Sequence, residues 1–262
     1  MTNTLDPTDS ATVEFLHIGG PTVRFHYGNL TWLTDPTFDA PGTYSSGLVT
    51  LHKLTGPAIA VVEVGPVDVV LLSHDQHVDN LDHAGREFLP TVDRVLSTPD
   101  AAERIAGVEG LRNWESLTIG EVTVTGVPAL HGPEGAEVLS GVVTGFVLQA
   151  AGWPTLYVSG DNASVDLVEQ IVARMGRIDI ALLFVGAANV ERYGDTDITL
   201  NGRTALRAAQ ILGDAVIIPV HGEGWHHFSE TLDYLSRNFE LAGHGDQLAM
   251  PTAGELLQVK GR

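Results

Sequence analysis

Three short, nearly unbroken apolar runs constrain the fold of this chain more than any other feature. They cover residues 67–72, 178–184 and 214–220, and each follows or contains an aspartate. Apolar runs of this length without alternation are typical of strands that are buried on both faces. Further strands are predicted at residues 13–18, 22–26, 30–34, 121–127, 145–150 and 155–158.

Helical patterns lie between these strands. One helix is predicted to begin at Thr98-Pro99, and others cover residues 164–175, 199–212 and 229–239. Threonine and serine cap helix N-termini, and glycine commonly follows the last turn, as Gly176 and Gly213 do here. The mixture of strands and helices without a linker predicts an α/β fold, with sheets inside and helices outside.

The same patterns suggest how the chain is divided. Residues 1–10 are polar and acidic and are predicted to form a flexible tail, and residues 11–262 are predicted to form one domain. The segment 39–57 is rich in Gly, Pro, Ser and Thr and is predicted to be a long loop. Such a loop could cover a site as a lid or pack against a second subunit, and the sequence leaves both open.

Composition excludes several classes of protein. With 14 Lys and Arg against 33 Asp and Glu, the formal charge is −19, so binding to nucleic acid or to an anionic membrane surface is not expected. No segment has the length and hydropathy of a membrane span or the pattern of a signal peptide, so a cytoplasmic location is expected. Cysteine is absent, so any bound metal must use imidazole and carboxylate ligands.

Histidine and aspartate residues follow the ends of four predicted strands. His74 and His77 come after residues 67–72, His131 comes after residues 121–127, Asp161 follows residues 155–158, and His221 follows residues 214–220 directly. Strand ends in α/β proteins meet at one edge, where ligand sites form. These side chains suit a divalent metal, whereas His17, His26, His52, His83 and His244 are interpreted as structural.

Four segments in this order resemble the metallo-β-lactamase-fold hydrolases, most closely the branch of ascorbate-6-phosphate lactonase and related metal-dependent hydrolases. They are residues 73–82 (SHDQHVDNLD), 127–133 (VPALHGP), 157–161 (YVSGD) and 219–228 (PVHGEGWHHF). Residues 34–36 (TDP), after an N-terminal hairpin, also fit this pattern. The resemblance implies a four-layer αβ/βα sandwich, with two mixed sheets flanked by helices and metals at one sheet edge.

The first motif departs from the family pattern His-x-His-x-Asp-His. Aligning His77 and Asp79 with the family's second His and its Asp places Asp75 at the first His and Asn80 at the last. Alternatively, His74 supplies the first ligand through a one-residue shift. The resemblance then implies a ligand set drawn from His74, Asp75, His77, Asp79, Asn80, His131, Asp161 and His221. One or two ions are expected, most simply Zn²⁺, with Mn²⁺ or Mg²⁺ as alternatives.

The resemblance implies hydrolysis of a small ester, lactone or phosphoester by metal-bound hydroxide. Asp79 would orient the water or bind a second metal, and Asp161 would bridge metals or accept a proton. His227 is predicted to be catalytic or to bind substrate, with Trp225 and Glu134 as further substrate-binding candidates.

The alternative is a fold relative without catalysis that acts as a binding or scaffold protein, motivated by Asp75 and Asn80 at positions where the family has histidine. Redox chemistry with bound iron is a third hypothesis. The partner expected for the enzyme is a small molecule, and self-association is left open.

Overall fold

The computed structural model of the chain describes residues 11–46 and 49–262. The predicted tail at residues 1–10 lies outside this part. The strands are β1 (Thr12–Gly19), β2 (Thr22–Tyr27), β3 (Leu30–Thr34), β4 (Gly42–Ser46), β5 (Val49–Lys53), β6 (Val69–Leu71), β7 (Arg94–Ser97), β8 (Val108–Gly110), β9 (Ser116–Ile119), β10 (Val122–Ala129), β11 (Val143–Gln149), β12 (Leu156–Val158), β13 (Ile180–Phe184), β14 (Val216–Val220) and β15 (Leu256–Lys260).

The helices are α1 (His83–Phe88), α2 (Pro99–Arg104), α3 (Glu137–Ser140), α4 (Val165–Met175), α5 (Gly202–Leu212) and α6 (Leu232–Leu241). The predicted start of a helix at Thr98-Pro99 is confirmed, because the Thr98 side chain caps α2 by accepting from Ala101 N. Ser164, predicted as the first residue of a helix, caps α4 by accepting from Leu167 N. The starts predicted for the last two long helices were wrong by about one turn. Asn201 and Thr231 cap these helices instead, because their side chains accept backbone N–H groups of the first turn.

Two mixed sheets form the centre of the fold. The first has the strand order β15-β1-β2-β3-β6-β7-β8, and the second has the order β14-β13-β12-β11-β10-β9. The three apolar runs of the sequence become β6, β13 and β14, and each of these strands pairs with a parallel neighbour. All residues of these three strands are buried, so the prediction of strands buried on both faces is confirmed.

Alternation along these strands explains how the layers are held together. In β13, Ile180, Leu182 and Phe184 face the core between the sheets, whereas Ala181 and Leu183 face the helices α4, α5 and α6. In the first sheet, Val69 and Leu71 of β6 face the core between the sheets. Val70 faces the other way and packs in a cluster with residues of α1. The layers thus run helix, sheet, sheet, helix, which confirms the predicted four-layer sandwich.

The segment predicted as a long loop contains a β-hairpin, so the loop prediction was wrong over this part. Strands β4 and β5 pair in antiparallel register, from Gly42 opposite Lys53 to Ser46 opposite Val49. Half of their residues are exposed, and the segment lacks the apolar alternation that identifies a strand. Leu51 anchors the hairpin by packing against Val78 and Trp225.

None of the helices in the part of the chain that the structure describes is both long enough and apolar enough to span a bilayer.

Candidate metal centre

Loops at the ends of strands from both sheets bring the candidate ligands together. His77 follows β6 of the first sheet, while His131, Asp161 and His221 follow β10, β12 and β14 of the second. His221 has a left-handed backbone, with φ of 55°. Such a conformation is uncommon for a residue other than glycine and is typical of functional positions.

The first group of candidate ligands consists of three imidazoles and one carboxylate. His77 Nδ1 lies 2.9 Å from His74 Nε2 and 3.2 Å from His131 Nε2. Asp161 Oδ2 lies 3.6 Å from His131 Nε2. The candidate ligand atoms of His74, His77, His131 and Asp161 all lie within 4.8 Å of one another.

Hydrogen bonds on the far side of two of these rings determine which nitrogen faces the group. Ser73 Oγ donates to Asp35 Oδ1 at 2.9 Å, so it accepts from His74 Nδ1, also at 2.9 Å. His131 Nδ1 donates to the carbonyl of Ile198 at 2.7 Å. A neutral imidazole carries one N–H, so His74 and His131 both present an Nε2 lone pair to the group.

A second group lies beside the first and shares Asp161 with it. Asp161 Oδ1 lies 3.3 Å from His221 Nε2, and Asp79 Oδ2 lies 3.6 Å from the same nitrogen. Asp79, Asp161 and His221 are all buried. Asp79 Oδ1 and both ring nitrogens of His221 have no hydrogen-bond partner among the described residues. Buried polar atoms without partners are costly, so this group of residues fits a bound cation.

The pKa values of the two groups follow from burial and from neighbouring charges. Burial and the adjacent His77 lower the pKa of His74 well below 6.5, and burial with the adjacent His131 lowers the pKa of His77 to about 4. Burial alone would raise the pKa of Asp161, but His221 and His131 hold it well below 3.8. At neutral pH His74 and His77 are therefore neutral and Asp161 is ionised, which is the state that binds metal.

The spacing of these atoms fits a metal ion. Four tetrahedral ligands, each about 2.0–2.1 Å from Zn²⁺, lie about 3.3 Å from one another. The measured separations of 2.9, 3.2 and 3.6 Å in the first group bracket that value. The Nε2 lone pairs of His74 and His131 both point at His77 Nδ1, which carries at most one proton, so one hydrogen bond cannot satisfy both. A divalent cation between the three rings would accept the lone pairs of all three histidines.

The structure places His74 and Asp75, the two alternatives for the first position of the first motif, on different sides of the loop. Asp75, one of the predicted ligands, points away from the group, where Arg104 Nε and Nη2 bind its carboxylate and Arg86 Nη2 lies 3.8 Å away. His74 takes the position in the group. This placement favours the one-residue shift, because His74 lies in the group whereas two arginines hold Asp75 outside it.

Asn80 lies next to both groups but contributes no charge. Its Nδ2 donates to Asp161 Oδ1 at 3.2 Å. Its Oδ1 is buried and has no hydrogen-bond partner within the described ranges. The side chain therefore contacts Asp161, and the second group has one imidazole fewer than the family pattern implies.

Three further residues are predicted to be catalytic or to bind substrate, namely His227, Trp225 and Glu134, and they lie at different distances from the two groups. His227 Nε2 lies 3.1 Å from Asp79 Oδ2, so this residue adjoins the second group. Trp225 is buried behind it, against Leu51. Glu134 is exposed in a turn and has no hydrogen bond to either group, so its placement does not support substrate binding.

The five histidines interpreted as structural lie outside both groups. His17 Nε2 donates to the carbonyl of Gly20 at 3.0 Å, His83 Nδ1 lies 2.9 Å from Asp39, and His244 Nδ1 lies 2.7 Å from Gln247. His26 and His52 contact threonine hydroxyls. Each thus has a local partner.

Sequence reasoning missed several residues around the centre. Ser73 and the Ile198 carbonyl orient two ligands. Arg192 and the hairpin residues Ser46, Val49 and Leu51 line a cavity beside His77 and His131. Ser73, directly before His74, was available as a signal, but no local pattern identifies the others because they arrive from distant segments.

With this geometry in place, comparison with known proteins defines the class of the chain. A model of the family described as "Beta-lactamase superfamily domain" matches residues 31–222. The chain belongs to this family. The match includes all the residues of both groups.

Relatives of known name agree with this assignment. The chain is 29% identical over 74% of its length to a UPF0173 metal-dependent hydrolase of Pyrococcus furiosus, covering 82% of that protein. It is 24% identical over 91% of its length to the UPF0173 protein YddR of Bacillus subtilis, covering 96% of it.

Solved structures share the fold. A structure described as a possible metal-dependent hydrolase from Veillonella parvula matches with a TM-score of 0.84 at 20% identity, covering 95% of this chain and 100% of that one. The isothiocyanate hydrolase from Delia radicum gut bacteria matches with a TM-score of 0.81 at 22% identity and the same coverage. At these identities the similarity demonstrates the fold.

Proposed function

We propose that this protein, a metal-dependent hydrolase of the beta-lactamase superfamily, hydrolyses a small ester, lactone or phosphoester. The reaction takes place at the centre formed by His74, His77, His131 and Asp161. The resident ion is Zn²⁺, with Mn²⁺ and Mg²⁺ as the alternatives to test, because imidazole nitrogens predominate among the ligands.

One observation carries this proposal. The Nε2 lone pairs of His74 and His131 converge on His77 while their N–H groups are held outward by Ser73 and Ile198. A purely structural histidine cluster would use its ring nitrogens to hydrogen-bond one another or the backbone. Two outward N–H groups with inward lone pairs are typical of metal ligands.

The chain's own residues have distinct roles in the proposed reaction. A divalent metal lowers the pKa of bound water from about 15.7 towards about 7 and polarises the group under attack. Asp161 stays ionised because its pKa is held well below 3.8, so it can accept a hydrogen bond from water and orient it. Asp79 is also buried beside the centre. Burial alone would raise its pKa, but His227 and His221 lower it, so Asp79 is ionised as well.

The surroundings of the centre support a small substrate. A narrow cavity of about 20 Å³, with room for about one water, adjoins His77 and His131. It shares Val49, Leu51, Val190 and His227 with a wider cleft of about 510 Å³, a volume in the range of small-molecule sites. Apolar side chains thus lie between the cleft and the centre.

Arg192 lines the narrow cavity beside these apolar residues. It supports a substrate with one anionic group. The net charge of −19 disfavours substrates that carry many negative charges.

A panel of substrates with two variants tests this function. Chelator-treated protein reloaded with Zn²⁺, Mn²⁺ or Mg²⁺ is assayed on aryl esters, lactones, phosphodiesters and, because of the structural neighbour, isothiocyanates. We expect His77→Ala to lose at least about 100-fold in kcat/KM, since even residues that only support a metal ligand contribute about 10–100-fold.

His26→Ala is the matched control, because this histidine is exposed on β2 and lies outside both groups. Its kcat/KM should equal that of the wild type. Full turnover by His77→Ala, or turnover that no chelator removes, would contradict the proposed function.

A further inference from the structure

The loop after β14 brings a second imidazole to the group formed by Asp79, Asp161 and His221. His227 Nε2 lies 3.1 Å from Asp79 Oδ2, and His221 Nε2 lies 3.6 Å from the same oxygen. The His227 side chain is 8% exposed, so this contact is shielded from solvent. Two imidazole nitrogens therefore approach one carboxylate oxygen in a buried environment.

Backbone contacts on both sides hold His227 in this position. Asn189 N donates to the carbonyl of His227 at 2.9 Å, and His226 N donates to the carbonyl of His52 at 3.0 Å. Phe228 forms a β-bridge with Ala188, and its ring packs 4.5 Å from that of His227. The imidazole is thus placed by main-chain hydrogen bonds to two separate segments.

The neighbouring polar atoms lack partners. Asp79 Oδ1, Asn80 Oδ1, both ring nitrogens of His221 and Nδ1 of His227 are buried without a hydrogen bond within the described ranges. Asn80 contacts Asp161 through its amide nitrogen, which cannot bind a cation. Of the residues named here, only His227 can add an imidazole to the two carboxylates and His221.

We propose that His227 is the fourth protein ligand of a second metal site, together with Asp79, Asp161 and His221. It supplies the imidazole that Asn80 does not. The proposal rests on the proposed function, in which the first site is formed by His74, His77, His131 and Asp161.

Geometry and charge favour this arrangement over a simple ion pair between His227 and Asp79. His221 Nε2 lies 3.3 Å from Asp161 Oδ1 and 3.6 Å from Asp79 Oδ2, close to the distance of about 3.3 Å between the ligands of a tetrahedral Zn²⁺. The candidate ligand atoms of these three residues lie within 4.8 Å of one another, and His227 adjoins them through Asp79 Oδ2, at 3.1 Å. A proton on His227 would satisfy only the contact between its Nε2 and Asp79. A divalent cation satisfies both imidazoles and balances the two carboxylates.

Metal stoichiometry tests the proposal without relying on activity. Metal-free protein is titrated with Zn²⁺ against a chromophoric chelator, and bound metal is measured as moles per chain. The wild type should bind two ions in two steps. His227→Ala should keep the first step, whereas the second should weaken by at least about 10-fold.

His226→Ala is the matched control, since this adjacent histidine is exposed and points elsewhere. It should bind two ions like the wild type. His227→Gln, which keeps the bulk of the side chain without the imidazole, repeats the test if the alanine variant folds poorly by circular dichroism. In the His227→Ala background, Asn80→His should restore the second step, because it returns an imidazole next to Asp161.

The outcomes separate this proposal from the proposed function. Two ions bound with unchanged affinity by His227→Ala or His227→Gln would overturn the assignment of His227. A single ion on the wild type that is lost in His77→Ala would also overturn it while leaving the first site intact. No ion on the wild type would instead overturn the proposed function.

Discussion

At the scale of single residues, the groups that orient the ligands matter as much as the ligands. Asp35 Oδ1 accepts from both Ser73 N, at 2.7 Å, and Ser73 Oγ, at 2.9 Å. This pair of bonds fixes the hydroxyl so that it can accept from His74. The Nε2 lone pair of His74 therefore faces the candidate metal centre in the metal-free chain, and no ring flip is needed for it to bind an ion.

Removing this hydroxyl should weaken metal binding. In Ser73→Ala, His74 Nδ1 loses its acceptor, and the ring can rotate or change tautomer. We expect the affinity of the first site for Zn²⁺ to fall about 10–100-fold in a chelator competition.

Ser97→Ala is the matched control for this variant. Ser97 is also a buried serine after an apolar run, but its Oγ has no hydrogen-bond partner among the residues described. Its loss should leave Zn²⁺ affinity unchanged. Equal affinity in the two variants would argue against a role for Ser73 in orienting His74.

At the scale of elements, the β4–β5 hairpin is held over the centre by one buried ion pair. Lys53 Nζ donates to Asp82 Oδ2 at 3.0 Å and lies 5.5 Å from the Trp225 ring centroid. Asp82 also caps α1 by accepting from Gly85 N. Ser46 Oγ at the other end of the hairpin accepts from Val78 N at 3.1 Å. The hairpin is thus fixed to the segment that carries His77 and Asp79.

Breaking this ion pair should loosen the hairpin and destabilise the fold. Lys53→Met keeps the length of the side chain but leaves Asp82 as a buried charge without its cation. We expect the free energy of unfolding in denaturant to fall by about 3–5 kcal/mol, with faster proteolysis within the hairpin.

The chain offers a direct comparison, because Lys260 is its one other lysine and is exposed on β15. Lys260→Met should change the free energy of unfolding by less than about 0.5 kcal/mol. A similar, small effect of both substitutions would mean that the Lys53–Asp82 pair does not hold the hairpin.

At the scale of the whole molecule, burying several histidines together makes the metal-free protein sensitive to acid. The pKa of His77 is about 4 in the folded chain and about 6.5 when unfolded. Because the unfolded chain takes up this proton first, stability is lost as pH falls from about 6.5 to about 4. His221 acts in the opposite sense, since Asp161 outweighs burial and raises its pKa.

We therefore expect the free energy of unfolding of chelator-treated protein to fall between pH 6.5 and 4, by about 3 kcal/mol from His77. Denaturant titrations at several pH values measure this loss. His77→Gln should flatten the dependence, because glutamine does not titrate. The same pH dependence in both proteins would show that His77 is not the group responsible.

What the sequence determined by itself is the set of buried strands and the order of most candidate ligands. Unbroken apolar runs require burial on both faces, so β6, β13 and β14 and an α/β fold with its sheets inside follow from the pattern along the chain. Helix caps such as Ser164 are equally local, because the capping bond joins residues three apart. The positions of His77, His131, Asp161 and His221 after strands followed from the same patterns.

Only the tertiary structure decided where side chains point. His74 and Asp75 are adjacent, and the choice between them depends on Arg104, which is 29 residues away. Glu134 and His227 both lie next to predicted ligand segments, yet one is exposed and the other contacts Asp79. The hairpin at residues 42–53 forms against Val78 and Trp225 without an apolar pattern of its own. In each case the deciding partner is distant in sequence, so no local pattern contains it.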